Sequence, residues 1–350
     1  METQQPLDKF EPNSIDWHKY NLAKTREKKM FYELLFELCE IIPEPIQTFG
    51  RPRIRIRDSV FSLGLKLYSN YSGRKVCSDL IHAKGSGFIE QAPHFNTLTD
   101  FLKNPATYDL LKKLLTISAI PLKELEDSFS IDSSGFGSYQ YERWKRYRFS
   151  KDFGRGDRNY LKGHISIGTK TNVIVACEIT TGNMSDVRQM PKLLETTSNN
   201  FNMKEVSADK GYSSIRMFQM IEEMNALPFI PFKNNANPND ESPSIWREMY
   251  YMFKNNKDKF DKKYHKRSNV ETTFAMVKMR LGEFLKCKQF ETQRNELMMK
   301  FICHNICCLV QEMFDNNVHI DFKSASEKYV EAKRKYDNHG LRIDRDDFKW

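Results

Sequence analysis

The sequence lacks any long run of apolar residues. No stretch of the 350 residues approaches the about 18 consecutive apolar side chains that a membrane-spanning helix requires. The polar N-terminal segment METQQPLDKFEPNS also lacks the apolar core of a secretory signal. We therefore expect a cytoplasmic protein that makes no membrane contact.

Paired cysteines and internal repeats are missing as well. The seven cysteines are an odd number, spread along the chain without the spacing of a disulfide framework. Such thiols are typical of proteins in a reducing compartment. The absence of a repeated segment excludes a solenoid built from repeats.

Basic residues are in excess: 55 Lys and Arg stand against 46 Asp and Glu, which gives a net charge of +9. This balance favours a polyanionic partner, because each neutralised phosphate releases bound counterions. A surface charged only for solubility would have the same net charge. Apolar residues make up 39% of the chain, so we expect most of it to fold.

The first part of the chain reads as helical. After a flexible tail over 1–16, apolar residues at helical spacing predict a small all-helical region over 17–120, beginning with a helix that Pro43 and Pro45 end. Two parts of this region are candidates for a helix-turn-helix-like DNA reader: the basic strip Arg51 to Arg57, and the segment Ser72–Asp79. Small helical regions also form dimer contacts, so we expect either DNA binding or assembly.

From residue 125 the pattern changes to alternating strands and helices. Five strands are predicted, namely 129–132, 164–168, 173–180, 206–208 and 227–232. Three antiparallel strands followed by two strand–helix crossovers give an α/β fold with a mixed five-stranded sheet flanked by helices. We assign residues 125–315 to this domain and 316–350 to a charged C-terminal helix and tail.

Two aspartates end predicted strands. Asp132 closes the first strand and Asp209 closes the fourth. Each alone is more often a turn residue or a helix cap. At the end of a strand, however, a carboxylate stands on a rigid element, as a metal site requires.

A third carboxylate, Glu271, lies on a predicted helix over about 262–286. At 100° per residue, Tyr264, Arg267, Glu271 and Lys278 form one stripe about 60° wide beside the core-facing side. An ordinary amphipathic helix with an exposed Arg267–Glu271 pair would give the same pattern. Three carboxylates at one edge of a sheet repel one another unless cations neutralise them, and oxygen ligands favour Mg²⁺ or Mn²⁺. Two such ions can drive an in-line phosphoryl transfer.

These residues resemble a known family. The strand order, with acids on the first and fourth strands and on a later helix, resembles the RNase H-like catalytic domain of DDE transposases over roughly 125–315. The spacing Tyr264-x2-Arg267-x3-Glu271-x6-Lys278 matches the Y-R-E-K signature of an insertion-sequence group. Asp132 in SIDSSG and Asp209 in ADKGY match that group's two aspartate motifs.

The resemblance implies a metal-dependent transposase, with Asp132, Asp209 and Glu271 binding two Mg²⁺ or Mn²⁺ ions and Tyr264, Arg267 and Lys278 contacting DNA. It also implies double-stranded DNA partners (transposon ends and target DNA), a homodimer on DNA and a nucleoid-associated location. A transposase-derived protein that binds DNA without cutting, or a related nuclease without strand transfer, stays open. Only 62 positions (271 − 209) separate Asp209 from Glu271, too few for the large β insertion of some relatives.

A basic and aromatic segment over 141–158 is a further DNA-binding candidate. Cations that hold phosphates and rings that stack on bases suit a loop beside cut DNA, although a solvated, mobile loop has the same composition. The cations that we single out are Arg143, Lys145, Arg146 and Arg148.

Three other groups of residues could suggest a metal or catalytic site, but we interpret each of them as structural. Cys303, Cys307, Cys308 and His304 lie in the apolar run FICHNICCLV, which favours buried helix thiols over a metal site. We interpret His164 as a structural strand residue and Asp186 as a helix cap rather than a fourth ligand.

Overall fold

The N-terminal region consists of helices, as the sequence predicts. The computed structural model describes residues 16–50, 52–138 and 160–338, with side chains described to residue 335. Asp16 caps the first helix by accepting the backbone N–H groups of His18 and Lys19. The helices are α1 (Trp17–Glu40), α2 (Ile56–Tyr68), α3 (Val76–Gly85), α4 (Phe95–Lys103) and α5 (Ala106–Ala119).

A five-stranded sheet follows and confirms the predicted α/β class. Its strands are β1 (Ser128–Gly137), β2 (Tyr160–Gly168), β3 (Ile174–Thr181), β4 (Glu205–Ala208) and β5 (Leu227–Phe229). The spatial order is β3-β2-β1-β4-β5, in which β1–β2 and β2–β3 are antiparallel while β1–β4 and β4–β5 are parallel. This mixed order is the RNase H-like arrangement that the resemblance implies.

Helices cover the sheet and fill the second half of the chain. They are α6 (Met190–Asn200), α7 (Ile215–Glu223), α8 (Ser244–Asn255), α9 (Lys257–Tyr264), α10 (Ser268–Leu281), α11 (Phe290–Asp315) and α12 (Phe322–Asn338). The helix predicted over 262–286 is wrong as one element. A 3-10 turn at His265–Arg267 separates α9 from α10, and Gly282 at φ +86° ends α10.

Helix α11 lies at the centre of the molecule and joins the N-terminal helices to the sheet. Gly64 of α2 packs so closely against it that a Cβ would come within 2.7 Å of the Met299 side chain. The Asn305 side chain accepts the N–H of Ile174 in β3 and donates to the Ser118 hydroxyl at the end of α5. Although α11 is long and apolar enough to span a membrane, 83% of its most apolar window is buried inside the protein, as in a core helix.

Strand β1 runs further than predicted. Asp132 was expected at the end of the strand, but β1 continues to Gly137 because β2 pairs along its whole length. The parallel neighbour β4 is shorter, and the last pair between the two strands joins Ile131 of β1 to Ala208 of β4. Asp132 is therefore the first residue of β1 beyond the end of β4.

Candidate functional site

The register of β1 and β4 brings two carboxylates side by side. Ile131 is paired with Ala208, the last residue of β4, so Asp132 on β1 and Asp209 directly after β4 are the next residues along the two chains. One oxygen of each side chain is held by the backbone: Asp132 Oδ1 accepts the N–H of Ser133 at 2.8 Å, and Asp209 Oδ1 accepts the N–H of Lys210 at 2.7 Å. The second oxygen of each carboxylate takes no backbone hydrogen bond in the described residues.

Helix α10 brings the third carboxylate to the same edge. Val270, Phe274 and Val277 bury one side of the helix in the core. The Lys278 ammonium donates to the Ser134 hydroxyl at 2.9 Å, and the Ser130 hydroxyl donates to the Arg267 carbonyl at 3.4 Å. Ser130, Asp132 and Ser134 are every second residue of β1, so their side chains share one face of the strand. Helix α10 therefore lies across that face, with Glu271 beside Asp132.

One guanidinium connects two of these carboxylates. Arg267 Nη1 lies 3.2 Å from Asp132 Oδ2, and Nη2 lies 2.5 Å from Glu271 Oε1. The Arg267 and Asp132 side chains are 20% and 22% exposed, whereas Glu271 is 59% exposed. The Tyr264 ring centre lies 5.9 Å from the guanidinium carbon. The Arg267–Glu271 pair that an ordinary amphipathic helix would form is present, and Arg267 pairs with Asp132 as well.

The three carboxylates act on one another electrostatically. Burial raises the pKa of Asp132 above its usual value, the Ser133 N–H and Arg267 oppose this, and Asp209 and Glu271 add to it. Burial works to lower the pKa of Arg267, but the hydrogen bond to Glu271 and the neighbouring Tyr264 and Asp132 leave it raised. The edge of the sheet that carries Asp132, Asp209 and Glu271 is therefore an acidic edge, and the guanidinium of Arg267 lies against it.

The donor set fits a hard divalent cation, although the side chains are not arranged around one. Carboxylate oxygens are the ligands that Mg²⁺ and Mn²⁺ prefer, and Asp132 and Asp209 each keep one oxygen clear of the backbone. Among the described residues, no three Asp, Glu, His or Cys side chains converge closely enough to hold a metal ion. Arg267, bonded to two of the three carboxylates, occupies the position of a neutralising cation.

The predicted DNA-contacting residues fall into two groups. Arg267 and Lys278 lie against β1, and Tyr264 stays beside Arg267 even though a 3-10 turn interrupts the helix. Four further candidates lie outside the described residues: Arg143, Lys145, Arg146 and Arg148.

A second polar cluster stands on β2 next to the site. The buried His164 ring bonds through Nε2 to the Thr180 hydroxyl at 2.8 Å, and burial lowers its pKa to about 4. A structural role for His164 stays a prediction. Asp186 was expected to cap a helix and does not. Its Oδ1 instead accepts from the Lys162 ammonium at 2.9 Å and lies 3.4 Å from His164 Nδ1.

Sequence reasoning missed Tyr212, which is buried beside this cluster. Burial raises its pKa well above the usual value, and the charges of Asp132 and Asp186 raise it further. Tyr212 is therefore a buried residue close enough to Asp132 and Asp186 to feel both charges. The signal that could have found it is its place in ADKGY, three residues after Asp209.

The cysteine and histidine group of α11 is structural, as predicted. Cys303, Cys307 and Cys308 are buried thiols, and burial raises the pKa of Cys307 to about 12. His304 Nε2 lies 2.9 Å from the Asn172 carbonyl, and burial lowers the pKa of His304 to about 4. The burial of these three thiols confirms the prediction of buried helix thiols.

Comparison with known proteins identifies a family for this chain. The profile described as "Transposase DDE domain" matches residues 124–306, just over half of the chain. The matched segment begins before β1, ends within α11 and contains all three carboxylates. No curated protein matches the chain.

Proposed function

The chain belongs to the family of transposase DDE domains, and on that premise we propose that it is the transposase of an insertion sequence. In this proposal it binds the terminal inverted repeats of its own element, cleaves the DNA there and joins the freed 3′ ends to target DNA. Family membership implies a DNA-acting nuclease or transposition enzyme. The observation that supports the finer proposal is the adjacency of Asp132 and Asp209 at the end of β4, with Glu271 held beside them.

We assign Asp132, Asp209 and Glu271 as ligands of two Mg²⁺ or Mn²⁺ ions. Bound ions of this kind activate a water or a 3′-hydroxyl and stabilise the leaving oxygen of a phosphodiester. Each aspartate has one oxygen held by the N–H of the next residue, so cation binding requires movement mainly of Glu271, the most exposed of the three, and of the Arg267 side chain that bonds to it and to Asp132. An arrangement held by rigid elements favours in-line positioning of the scissile phosphate.

The cations around the acidic edge would hold the DNA. Lys278 and Arg267 lie on the α10 side of β1, and their charges attract the phosphates that flank the reacting one. The segment with Arg143, Lys145, Arg146 and Arg148 connects β1 to β2 in sequence. We propose that it contacts DNA on the strength of its charge and aromatic content.

The N-terminal helices would add DNA binding away from the reacting end. The basic strip is not uniform: Arg55 pairs with Glu90, Arg57 pairs with Glu40 at 2.6 Å, and the Arg53 side chain is exposed. The loop between α1 and α2 also presents Ile46 and Phe49, which are 93% and 89% exposed. An exposed cation and apolar tips suit contact with a duplex groove. Two element ends require two sites, so we propose a homodimer on DNA.

The test is cleavage of a labelled duplex that contains the terminal repeat flanking this gene, with Mg²⁺ or Mn²⁺. We expect wild type to nick at the repeat boundary, and Asp132→Asn and Asp209→Asn to bind the duplex without cutting it. Asp258→Asn, an exposed aspartate of α9 away from the site, is the matched control and should cut like wild type.

Three results would change the proposal. Binding without cleavage by wild type would favour the transposase-derived DNA-binding protein. Cleavage without joining to target DNA would favour a nuclease. Cleavage by Asp209→Asn would show that the metal-ligand assignment is wrong.

A further inference from the structure

The Arg267 guanidinium uses the carboxylate oxygens that a metal ion would need. Its two terminal nitrogens bond to Asp132 Oδ2 and to Glu271 Oε1, while Asp132 Oδ1 is already held by the Ser133 N–H. The oxygen of Asp132 that the backbone leaves available is thus the one that Arg267 takes. Throughout the described ranges, Arg267 is the only Lys or Arg that forms an ion pair with Asp132 or Glu271.

This contact keeps the two carboxylates apart. Ligands of Mg²⁺ lie about 2.1 Å from the ion, which brings coordinating oxygens to about 3 Å from one another. A guanidinium inserted between two carboxylates spaces them more widely, in agreement with the absence of a converged metal cluster in the described residues. Arg267 and a divalent cation therefore exclude each other from the same pair of oxygens.

The side chain can leave while its backbone stays. Arg267 ends the 3-10 turn between α9 and α10, and its carbonyl accepts from the Ser130 hydroxyl, so the main chain is tied to β1. Glu271, one of its two partners, is more than half exposed. The Tyr264 ring lies close enough to support the guanidinium in another rotamer.

Resting on the function proposed above, we propose that Arg267 is a positioning residue with two states. In the metal-free protein it bridges Asp132 and Glu271 and competes with divalent cations for them. When DNA is bound, the guanidinium turns to a DNA phosphate and releases both carboxylates. Binding of the metal and of DNA is then cooperative, because each favours the state in which Arg267 has left the acidic edge.

The neighbouring cation Lys266 allows the specific role of Arg267 to be distinguished from a general effect of positive charge. Lys266 precedes Arg267 in the same 3-10 turn, but its ammonium bonds to Glu205 at 3.1 Å and not to the acidic edge. Loss of either positive charge strengthens the long-range attraction for a metal cation. Only the loss of Arg267 also frees the carboxylate oxygens.

The experiment measures Mn²⁺ binding to the full chain without DNA, by the electron paramagnetic resonance signal of free Mn²⁺. We compare wild type, Arg267→Gln, Arg267→Lys and the control Lys266→Gln. Arg267→Gln should bind Mn²⁺ about tenfold more tightly than wild type, and Lys266→Gln should stay within about twofold. Arg267→Lys should fall between, because one ammonium cannot bond to both carboxylates as a fork does.

A repeat of the titration with duplex DNA tests the cooperativity. DNA should tighten Mn²⁺ binding to wild type several-fold and to Arg267→Gln much less. Equal Mn²⁺ affinities for Arg267→Gln and Lys266→Gln without DNA would overturn the proposal, as would an equal effect of DNA on wild type and Arg267→Gln. If Arg267→Gln does not fold, the same comparison of Arg267→Lys with Lys266→Gln decides.

A separate variant distinguishes this inference from the function on which it rests. Asp132→Asn should lose Mn²⁺ binding without DNA. If it binds Mn²⁺ as wild type does, the carboxylates are not the metal site, and the proposed function loses its metal assignment. If Asp132→Asn loses binding while Arg267→Gln gains none, the metal site stands and only the role of Arg267 is wrong.

Discussion

The acidic edge of the sheet and the buried side of α11 both contain carboxylates and a cation, but these groups have different partners in the two places. In α11, Lys300 is 1% exposed and donates to the carbonyls of Gly282 and Phe284, while Glu296 accepts the N–H groups of Lys286 and Cys287. These bonds fix the loop that follows α10. At the acidic edge, by contrast, only one oxygen of Asp132 accepts a backbone N–H, and its other oxygen and Glu271 are bridged by the end of a flexible side chain.

The difference shows that the partner of a charged group indicates its role better than the residue type does. A group bonded to the backbone cannot be released without local unfolding, because its partner would be left unsatisfied. A group bonded to a side-chain cation can exchange that cation for another. We therefore expect substitutions at the acidic edge to change activity and metal binding, and substitutions in α11 to change stability.

The largest expected effect is on activity at the acidic edge. Glu271→Gln should reduce cleavage of terminal-repeat DNA by about a thousandfold or more, because the amide binds divalent cations poorly. Since Glu271 is mostly exposed and bonds only to Arg267 in the described residues, the melting temperature should change little. Cleavage assays and thermal unfolding of the same preparation check both statements. Full activity in Glu271→Gln would contradict the expectation that the acidic edge serves activity.

The opposite outcome is expected for Glu296. Glu296→Ala leaves two partly buried N–H groups without their acceptor and removes a negative charge near the buried Lys300, so the free energy of unfolding should fall by about 2 kcal/mol. Urea unfolding measures this change. Glu291→Ala, at an exposed position in the first turn of the same helix, should lie within about 0.5 kcal/mol of wild type. Equal effects of the two variants would mean that Glu296 does not hold the loop.

The pH dependence of stability should come partly from His304. Burial lowers its pKa from 6.5 to about 4, so the unfolded chain binds the proton more readily than the folded protein. The contribution of this residue is therefore complete above pH 6.5 and is lost as the pH falls towards 4, on the order of 3 kcal/mol. The difference in unfolding free energy between wild type and His304→Gln, measured from pH 7.5 to 4.5, should shrink on acidification. A difference that stays constant would mean that His304 is not buried in its neutral form.

The smallest effect concerns Lys278. Lys278→Ala removes one cation beside the acidic edge, and duplex DNA should bind about three- to tenfold more weakly, with a salt slope reduced by about 1. Lys29→Ala, at an exposed position of α1, is the control and should not change the affinity. Fluorescence anisotropy over a range of salt concentrations separates the two. An unchanged salt slope would show that Lys278 serves only its hydrogen bond to Ser134.

The sequence alone determined the class of the fold, and it predicted which residues form the candidate site. Strand alternation, helical spacing and the fixed interval from Tyr264 to Lys278 are local properties, and each depends on neighbours within a few turns of the chain. The burial of the α11 thiols followed from the apolar run around them in the same way. Such features can be predicted from the sequence because helices and strands have fixed periods, which appear as a regular spacing of apolar residues.

Only the tertiary structure decided how the three carboxylates meet and what neutralises them. The continuation of β1 past Asp132 comes from pairing with β2, and the adjacency of Asp132 and Asp209 comes from the end of β4, more than seventy positions away along the chain. The break between α9 and α10 and the bridge from Arg267 to Asp132 likewise depend on packing against the sheet. Contacts between distant residues are set by the sum of all such packing, and no local pattern in the chain encodes them.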